Sequence, residues 1–482
     1  MAGRHAVALL AAALLAPPAS SEAASAGALS KGIERILGRP AFAPAFWGIE
    51  VRSLRSGKRL YSLNAQKNFK PASTLKLVTT AAVLDALGPE ARLKTSVESA
   101  GRLDSAGRIL GDVYLVGRGD PGLSCRPSAG RAAAFEELAQ ALRAAGLRRI
   151  EGRLIGHEGL FRGERRGADW SWEDLVWSYG AEVSALSLDE NVALLTVAAG
   201  ERLGDPVVVD RSPVSSYYRV VSTATTSPAG DKSDLALSRA SGSNVIRLSG
   251  THPAGAPAEV LPVALEDPAR YAATVFAEVL EASGIRVAGP VETSSDPLPP
   301  GVRVLAARDS EPLSEILKAV NKPSRNLHAE ILLRLLGSYV KGEGSTDAGH
   351  AALQDFLTRA GVRSEAWALH DGSGLSRSDI LSPAGLVDLL VAMDRHRYAR
   401  PFRESLAVAG LDGTLENRMR GTPAAGRILA KTGTLRHVSA LAGYASSRSG
   451  ERLAFALLLN HHTASGLEAN SAIDAICGLL VE

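Results

Sequence analysis

Residues 427–459 read RILAKTGTLRHVSALAGYASSRSGERLAFALLL, and they decide the fold. Three short apolar runs follow one another, Arg427–Thr434, Ser439–Ser446 and Leu453–Leu459. Each has the length and apolar density of a strand, and the breaks between them are too short for anything but antiparallel connections. Working outward, Trp47–Ser53 and Lys58–Ser62 near the other end of the chain read as two more strands joined around Ser56-Gly57, a hairpin signal. Together the five strands make one antiparallel sheet. The closing segment Gly466–Leu480 and the runs Ser73–Leu87, Leu313–Val320, Asn326–Leu336 and Pro383–Met393 read as the helices that flank it. The expected fold class is α/β (α+β).

Between the two halves of that sheet lies a different texture. From about Arg92 to Pro300 the chain shows many short β-like runs punctuated by Gly, Pro, Ser and Asp, for example Ile109–Val116, Val207–Val209 and Tyr217–Ser222. Helices at Ala133–Ala145 and Pro268–Ser283 stop at Gly146 and Gly284 and run into Leu147–Ile155 and Ile285–Val291. A glycine in the left-handed conformation is the expected stop in each case. A third such joint follows Ala351–Ala360 at Gly361, and the spacing of the three is too irregular for a solenoid. The domain plan is therefore a first part over 27–91, a β-rich insertion over 92–300 that is one or two domains, and a second part over 301–482.

Composition limits the function classes. The 482 residues are 45% hydrophobic and 22% charged, ordinary globular usage that excludes disordered and collagen-like chains. A net charge of +3 is too balanced for a nucleic-acid binder that rests on many phosphate contacts. Two cysteines, Cys125 and Cys477, make at most one bridge and no zinc site; two buried free thiols are expected. Residues 1–26 carry Arg4, an apolar stretch Ala6–Ala16 and small residues with Ala24 and Ala26 at an A-x-A site, the pattern of a cleaved secretion signal. The apolar stretch is short of the about 20 residues a spanning helix needs. The mature protein is expected to be soluble outside the cytoplasm, in the periplasm, with any looser membrane association left open.

Three local patterns carry chemistry. In Pro71-Ala72-Ser73-Thr74-Leu75-Lys76 the lysine opens a helix that stays uncharged until Asp85 and is therefore buried all round. Burial, and a place at the helix end where the dipole opposes positive charge, would lower the Lys76 pKa far enough for a base at neutral pH. Ser73 lies one turn away on the same face, a nucleophile with helix N–H groups at hand. Alone, S-x-x-K is also what a capped helix with an ordinary lysine looks like. Ser324-Arg325-Asn326 falls on a short loop between two helices, where a plain helix cap is the competing explanation. Lys431-Thr432-Gly433-Thr434 sits on a strand; Gly433 signals close approach by another backbone or by a ligand, and Lys431 with the two hydroxyls could hold a carboxylate. An edge-strand lysine that blocks aggregation is the bland alternative.

The set S-x-x-K, S-x-N, K-T-G in that order is far more specific than its members, and it occurs in penicillin-binding proteins and class A β-lactamases. The chain resembles the serine D-alanyl-D-alanine carboxypeptidases/endopeptidases, the class C low-molecular-mass penicillin-binding proteins. Gly119-Asp120-Pro121, His370–Ser376 (HDGSGLS), Asp412-Gly413-Thr414-Leu415 and the run Lys431–Tyr444 (KTGTLRHVSALAGY) also resemble that family. So does the 251-position separation of Ser73 from Ser324, since the family carries extra domains there and a β-lactamase does not. The resemblance implies a β-lactamase/transpeptidase-like domain, Ser73 as the acylated nucleophile and Lys76 as its base. It further implies Ser324 as proton relay to the leaving D-alanine, Asn326 orienting Lys76 and the substrate amide, and Lys431 with Thr432 placing the terminal carboxylate. The oxyanion hole would be the backbone N–H groups of Ser73 and Thr434. Peptidoglycan stem peptides are the implied substrate, β-lactams the inhibitors, and no cofactor or metal is implied.

A β-lactamase or esterase on this fold lacks the E-x-x-L-N stretch that would supply a class A deacylating glutamate, and a non-catalytic β-lactam sensor lacks a transmembrane relay. His370-Asp371 beside Ser373 imitates a Ser/His/Asp triad without a G-x-S-x-G elbow. His437 reads as a strand-loop histidine, and His461-His462 has no third ligand at metal spacing.

Overall fold

The computed structural model describes residues 20–125 and 133–482. The apolar part of the expected signal lies outside the described residues, and a helix, Ser20–Leu37, runs across Ala24 and Ala26.

The strands foreseen at the two ends of the chain meet in one antiparallel sheet. Its order is Arg59–Leu63, Phe46–Ser53, Arg452–Asn460, Val438–Ser446, Ile428–Leu435 and Ala407–Val408. The last, two residues long, makes six strands where five were expected, because a pairing that short leaves no periodic pattern to read. Strands Val438–Ser446 and Arg452–Asn460 are buried almost throughout. Helices cover both faces, so alternate residues enter two different cores and the run reads as continuously apolar. Leu457 and Leu459 pack with the terminal helices Ser20–Leu37 and Gly466–Val481. Leu458, Ala456 and Ala454 face the other way, toward helices Lys76–Leu87, Asn326–Lys341 and Pro383–Asp394.

The central helix Lys76–Leu87 has no exposed face over its first nine residues. Its apolar side chains lie between the sheet and helices Leu313–Asn321, Asn326–Lys341 and Thr346–Arg359. It ends at Gly88, φ +78°, as the sequence predicts.

The inserted region has its own core. A five-stranded sheet runs Val291–Ser294, Leu154–His157, Val113–Val116, Lys94–Ser99, Arg303–Asp309. The first three strands are parallel. Helices Ala134–Ala144 and Pro268–Ala282 precede parallel strands, which explains the repeated helix-glycine-strand punctuation: a parallel neighbour needs a crossover. Two three-stranded sheets and a two-stranded pair built from residues 192–264, with a small three-stranded sheet of Arg286–Val287, Arg149–Ile150 and Arg108–Ile109, complete the region. Strand Arg303–Asp309 pairs with Lys94–Ser99, so the inserted sheet closes near residue 309 and not at 300. Cys477 is buried and Cys125 only half-buried, so the expected burial of the pair applies to Cys477 alone.

Candidate active site

The site lies where the central helix begins. Ala72–Leu75 form a 3-10 turn ahead of the α-helix, with Ala72 at φ +48°. This tighter start leaves Ser73 half-buried at a cleft while Lys76 points inward, fully buried. Lys76 Nζ lies 2.8 Å from Ser73 Oγ, 2.7 Å from Asn326 Oδ1 and 2.7 Å from the Ser373 carbonyl. A neutral amine has two N–H donors and one lone pair. As an ammonium Nζ donates to all three; once neutral, its two donors go to the two carbonyl oxygens and the lone pair is left for the serine hydroxyl. Burial lowers the Lys76 pKa from 10.5 to about 7, against the pull of the nearby carboxyl groups of Asp371, Glu330 and Asp379.

The second motif is a break between two helices. Leu313–Asn321 ends, and Asn326 is the first residue of Asn326–Lys341, where the helical pattern puts it, so only Ser324 and Arg325 of the S-x-N motif lie outside the helix. Ser324 stands in the gap at φ +66°, a conformation that non-glycine residues seldom hold without a functional or structural demand. It does not cap the helix, since the N-cap position falls on Arg325.

The third motif uses a half-open strand edge. Ala407–Val408 pairs only with Leu429 and Ala430, so from Lys431 onward that edge of Ile428–Leu435 faces the nucleophile turn. A Cβ on Gly433 would stand 2.7 Å from the Pro71 carbonyl oxygen and 3.1 Å from the Ala72 Cβ. The glycine is therefore what lets strand and turn touch. Lys431 is fully buried; its Nζ lies 2.8 Å from Ser324 Oγ and 2.9 Å from the Thr432 carbonyl. Burial, with Lys76 nearby, holds its pKa well below the usual lysine range. Thr432 Oγ1 donates to Thr414 Oγ1 at 2.8 Å, within the Asp412–Leu415 segment noted in the sequence.

All eight residues singled out in the sequence thus converge. Ser73, Ser324, Asn326 and Thr434 line a cleft of about 510 Å³, with Lys76 and Lys431 beneath it and Thr432 and Gly433 on its strand wall. The mouth carries charges that the motifs did not announce: Arg377 lies 3.6 Å from Asp174, and Arg436 lies 3.8 Å from Glu173. Besides Thr432 O, backbone carbonyls accept at two further places in the site, Ser373 O from Lys76 and Tyr179 O from Asn326 Nδ2 at 2.9 Å. The imitation triad dissolves: His370 is exposed, while Ser373 is buried with its hydroxyl 3.3 Å from Asp371 Oδ2. His437 and His462 bond each other's neighbourhood at the end of the strand pair, Nδ1 of His437 lying 2.9 Å from the His462 carbonyl.

A family profile described as the D-Ala-D-Ala carboxypeptidase 3 (S13) family matches residues 29–479. The D-alanyl-D-alanine carboxypeptidase of Actinomadura sp. (strain R39) is 36% identical over 481 residues, covering 97% of this chain and 87% of that protein. The D-alanyl-D-alanine carboxypeptidase DacB of Haemophilus influenzae is 26% identical, covering 88% and 87%. The crystal structure of penicillin binding protein 4 (dacB) from Haemophilus influenzae shares the fold, with a TM-score of 0.81 at 24% identity over 92% of this chain and 97% of that one.

Proposed function

Because the chain belongs to the D-Ala-D-Ala carboxypeptidase 3 (S13) family, and is thereby a serine-type peptidase of peptidoglycan, we propose that Ser73 cleaves stem peptides after D-alanine through an acyl-serine intermediate. The observation that carries this reading is the buried amine of Lys76, 2.8 Å from Ser73 Oγ, with two carbonyl oxygens at 2.7 Å to take its other N–H groups.

Ser73 Oγ attacks the carbonyl carbon of the D-alanine and passes its proton to the Lys76 amine. The backbone N–H groups of Ser73 and Thr434 receive the developing oxyanion. The carbon–nitrogen bond then breaks as Ser324 hands the leaving amine its proton and is made good by the proton held on Lys76, so that the base is neutral again; Lys431, whose Nζ stands 2.8 Å behind Ser324 Oγ, holds that hydroxyl in place. Water attacks the ester and gives its proton to the now neutral Lys76, which returns it to Ser73 Oγ as the ester bond breaks, leaving a free D-alanine carboxylate on the product. Asn326 aims Lys76, while Lys431, Thr432 and Thr434 take the substrate's carboxylate from the strand edge that Gly433 keeps close. The same arrangement fits cleavage of a terminal D-alanine and of a D-alanyl cross-link.

A β-lactam offers Ser73 an amide of the same shape, and a relative with this fold is known in complex with one, the Haemophilus influenzae penicillin binding protein 4. The test is intact-mass spectrometry after brief exposure to benzylpenicillin, with peptide mapping. A stable adduct on Ser73, absent from Ser73→Ala, is expected; an adduct elsewhere, or none, overturns the assignment. Rapid loss of the adduct would mark a β-lactamase instead. Residues 1–26 support export to the periplasm with cleavage after Ala26, and N-terminal sequencing of exported protein checks it. A mature chain that still begins with the apolar stretch would overturn that site.

A further inference from the structure

Each acceptor that aims Lys76 has a support behind it, and both supports come from the inserted region. The Ser373 carbonyl belongs to a loop wound around one carboxylate. Asp371 accepts from the backbone N–H groups of Ser373, Gly374 and Ser376 at 3.0, 2.6 and 2.7 Å. Its next donor is the indole Nε1 of Trp170, 2.9 Å away. From the other side Glu330, on helix Asn326–Lys341, accepts from the Gly372 N–H at 3.0 and 3.1 Å with its two oxygens. The loop also sits directly on the nucleophile turn: Gly374 has φ +80°, and a Cβ there would stand 1.9 Å from the Ala72 carbonyl oxygen. Trp170 has a made place, since a Cβ on Gly167 would stand 2.4 Å from its Nε1. Nine residues further on, the Tyr179 carbonyl accepts from Asn326 Nδ2.

We propose that segment 170–179 of the inserted region is a positioning strap for the base: Trp170 acts through Asp371 and the Ser373 carbonyl, and the Tyr179 carbonyl acts through Asn326, so that the insertion holds both acceptors that orient the Lys76 amine. The proposal rests on the reading of Ser73 and Lys76 given above, and it assigns the insertion a part in the chemistry without contact with the reacting atoms. Trp170 and Asp371 are positioning residues.

The charges around Lys76 make the strap measurable. Asp371 and Asp379 face it from the loop, Glu330 from helix Asn326–Lys341, and Lys431 from the strand; Arg334 and His350 stand behind the carboxyl groups. The carboxylates favour the ammonium form, so removing one lets the amine stay neutral at lower pH.

The test is the second-order rate of benzylpenicillin acylation across about pH 5 to 9 for the wild-type protein, Trp170→Phe and Asp371→Asn. Asp371→Asn should move the acid limb down by about one pH unit and lower the plateau about tenfold or more. Trp170→Phe, which keeps the ring and loses the donor, should lower the plateau about tenfold and move the limb the other way, up, because Asp371 loses a donor that offsets its charge. A Trp170→Phe protein that melts like the wild type and keeps its whole profile overturns the strap. So does a uniform fall in rate with the limb unmoved in both variants, the signature of general loosening. A wild-type protein not acylated on Ser73 fails at the earlier step and overturns both readings.

Discussion

Lys76 holds three partners at 2.7–2.8 Å in a place closed to water, and its chemistry follows from the deficit of charge support there. With its pKa lowered to about 7, the fraction of neutral amine falls as pH drops below that value, so acylation should decline about tenfold per unit on the acid side. Rate measurements against pH with benzylpenicillin check this. Lys76→Arg, whose guanidinium keeps its proton, should acylate about 100- to 10,000-fold more slowly at pH 7. His328, buried two residues beyond Asn326, supplies a stability prediction. Burial, with Arg325 adding to it, lowers its pKa from 6.5 to about 3. The folded state keeps it neutral. As pH falls below about 6.5 the unfolded chain takes up a proton that the folded state refuses, and this group alone withdraws about 1.4 kcal/mol per pH unit until about pH 3. Glu330, raised to about 8 mainly by burial, acts oppositely, its contribution being lost as pH rises from about 4.5 toward 8. Urea titrations of His328→Gln should show a shallower loss of stability between about pH 6 and 4 than the wild type.

The elements around the site were legible where burial leaves a pattern and hidden where it does not. An uncharged run from Leu77 to Leu84 announces a helix with no wet face, and the structure contains it. The 3-10 turn Ala72–Leu75 that precedes it leaves no such mark, although it is what separates Ser73 at the cleft from Lys76 in the interior. Gly433 marks a place of close approach in the sequence, but the approaching group, the Pro71–Ala72 backbone, lies 361 to 362 positions away. Gly433→Ala should push strand and turn apart. Acylation should fall about tenfold or more, since small misplacements of a nucleophile are costly. Stability should drop only about 1–3 kcal/mol, the usual cost of an overpacked contact. Kinetics and denaturant melts on one preparation separate the two effects.

At the scale of the whole molecule two cores are joined by a shared seam. The inserted region has its own apolar centre around Phe135, Phe276 and Tyr271. Phe161, Val183 and Ala185 from that region pack instead into the core beneath the central helix. Damage to the inserted core should therefore stay mostly inside it. Phe276→Ala should cost the insertion about 3–5 kcal/mol, seen as faster hydrogen exchange over residues 94–309. Helix Asn326–Lys341 should keep its protection, and Ser73 should still acylate at temperatures where the insertion remains folded. Equal loss of protection in both regions would mean one cooperative unit.

The sequence by itself determined the apolar helix, the flanking strands, and the motif residues Ser73, Lys76, Ser324, Asn326 and Lys431–Thr434, because burial and reactivity belong to side chains and side chains are what a sequence records. It also marked an inserted region by texture alone. Only the tertiary structure decided that the insertion closes at Arg303–Asp309, that Ser324 takes a left-handed conformation, and that Trp170, Asp371 and the carbonyls of Ser373 and Tyr179 stand around the base. The physical reason is that a backbone carbonyl is the same in every residue. Its role comes from position, and position here is set by contacts between segments 147 to 297 residues apart.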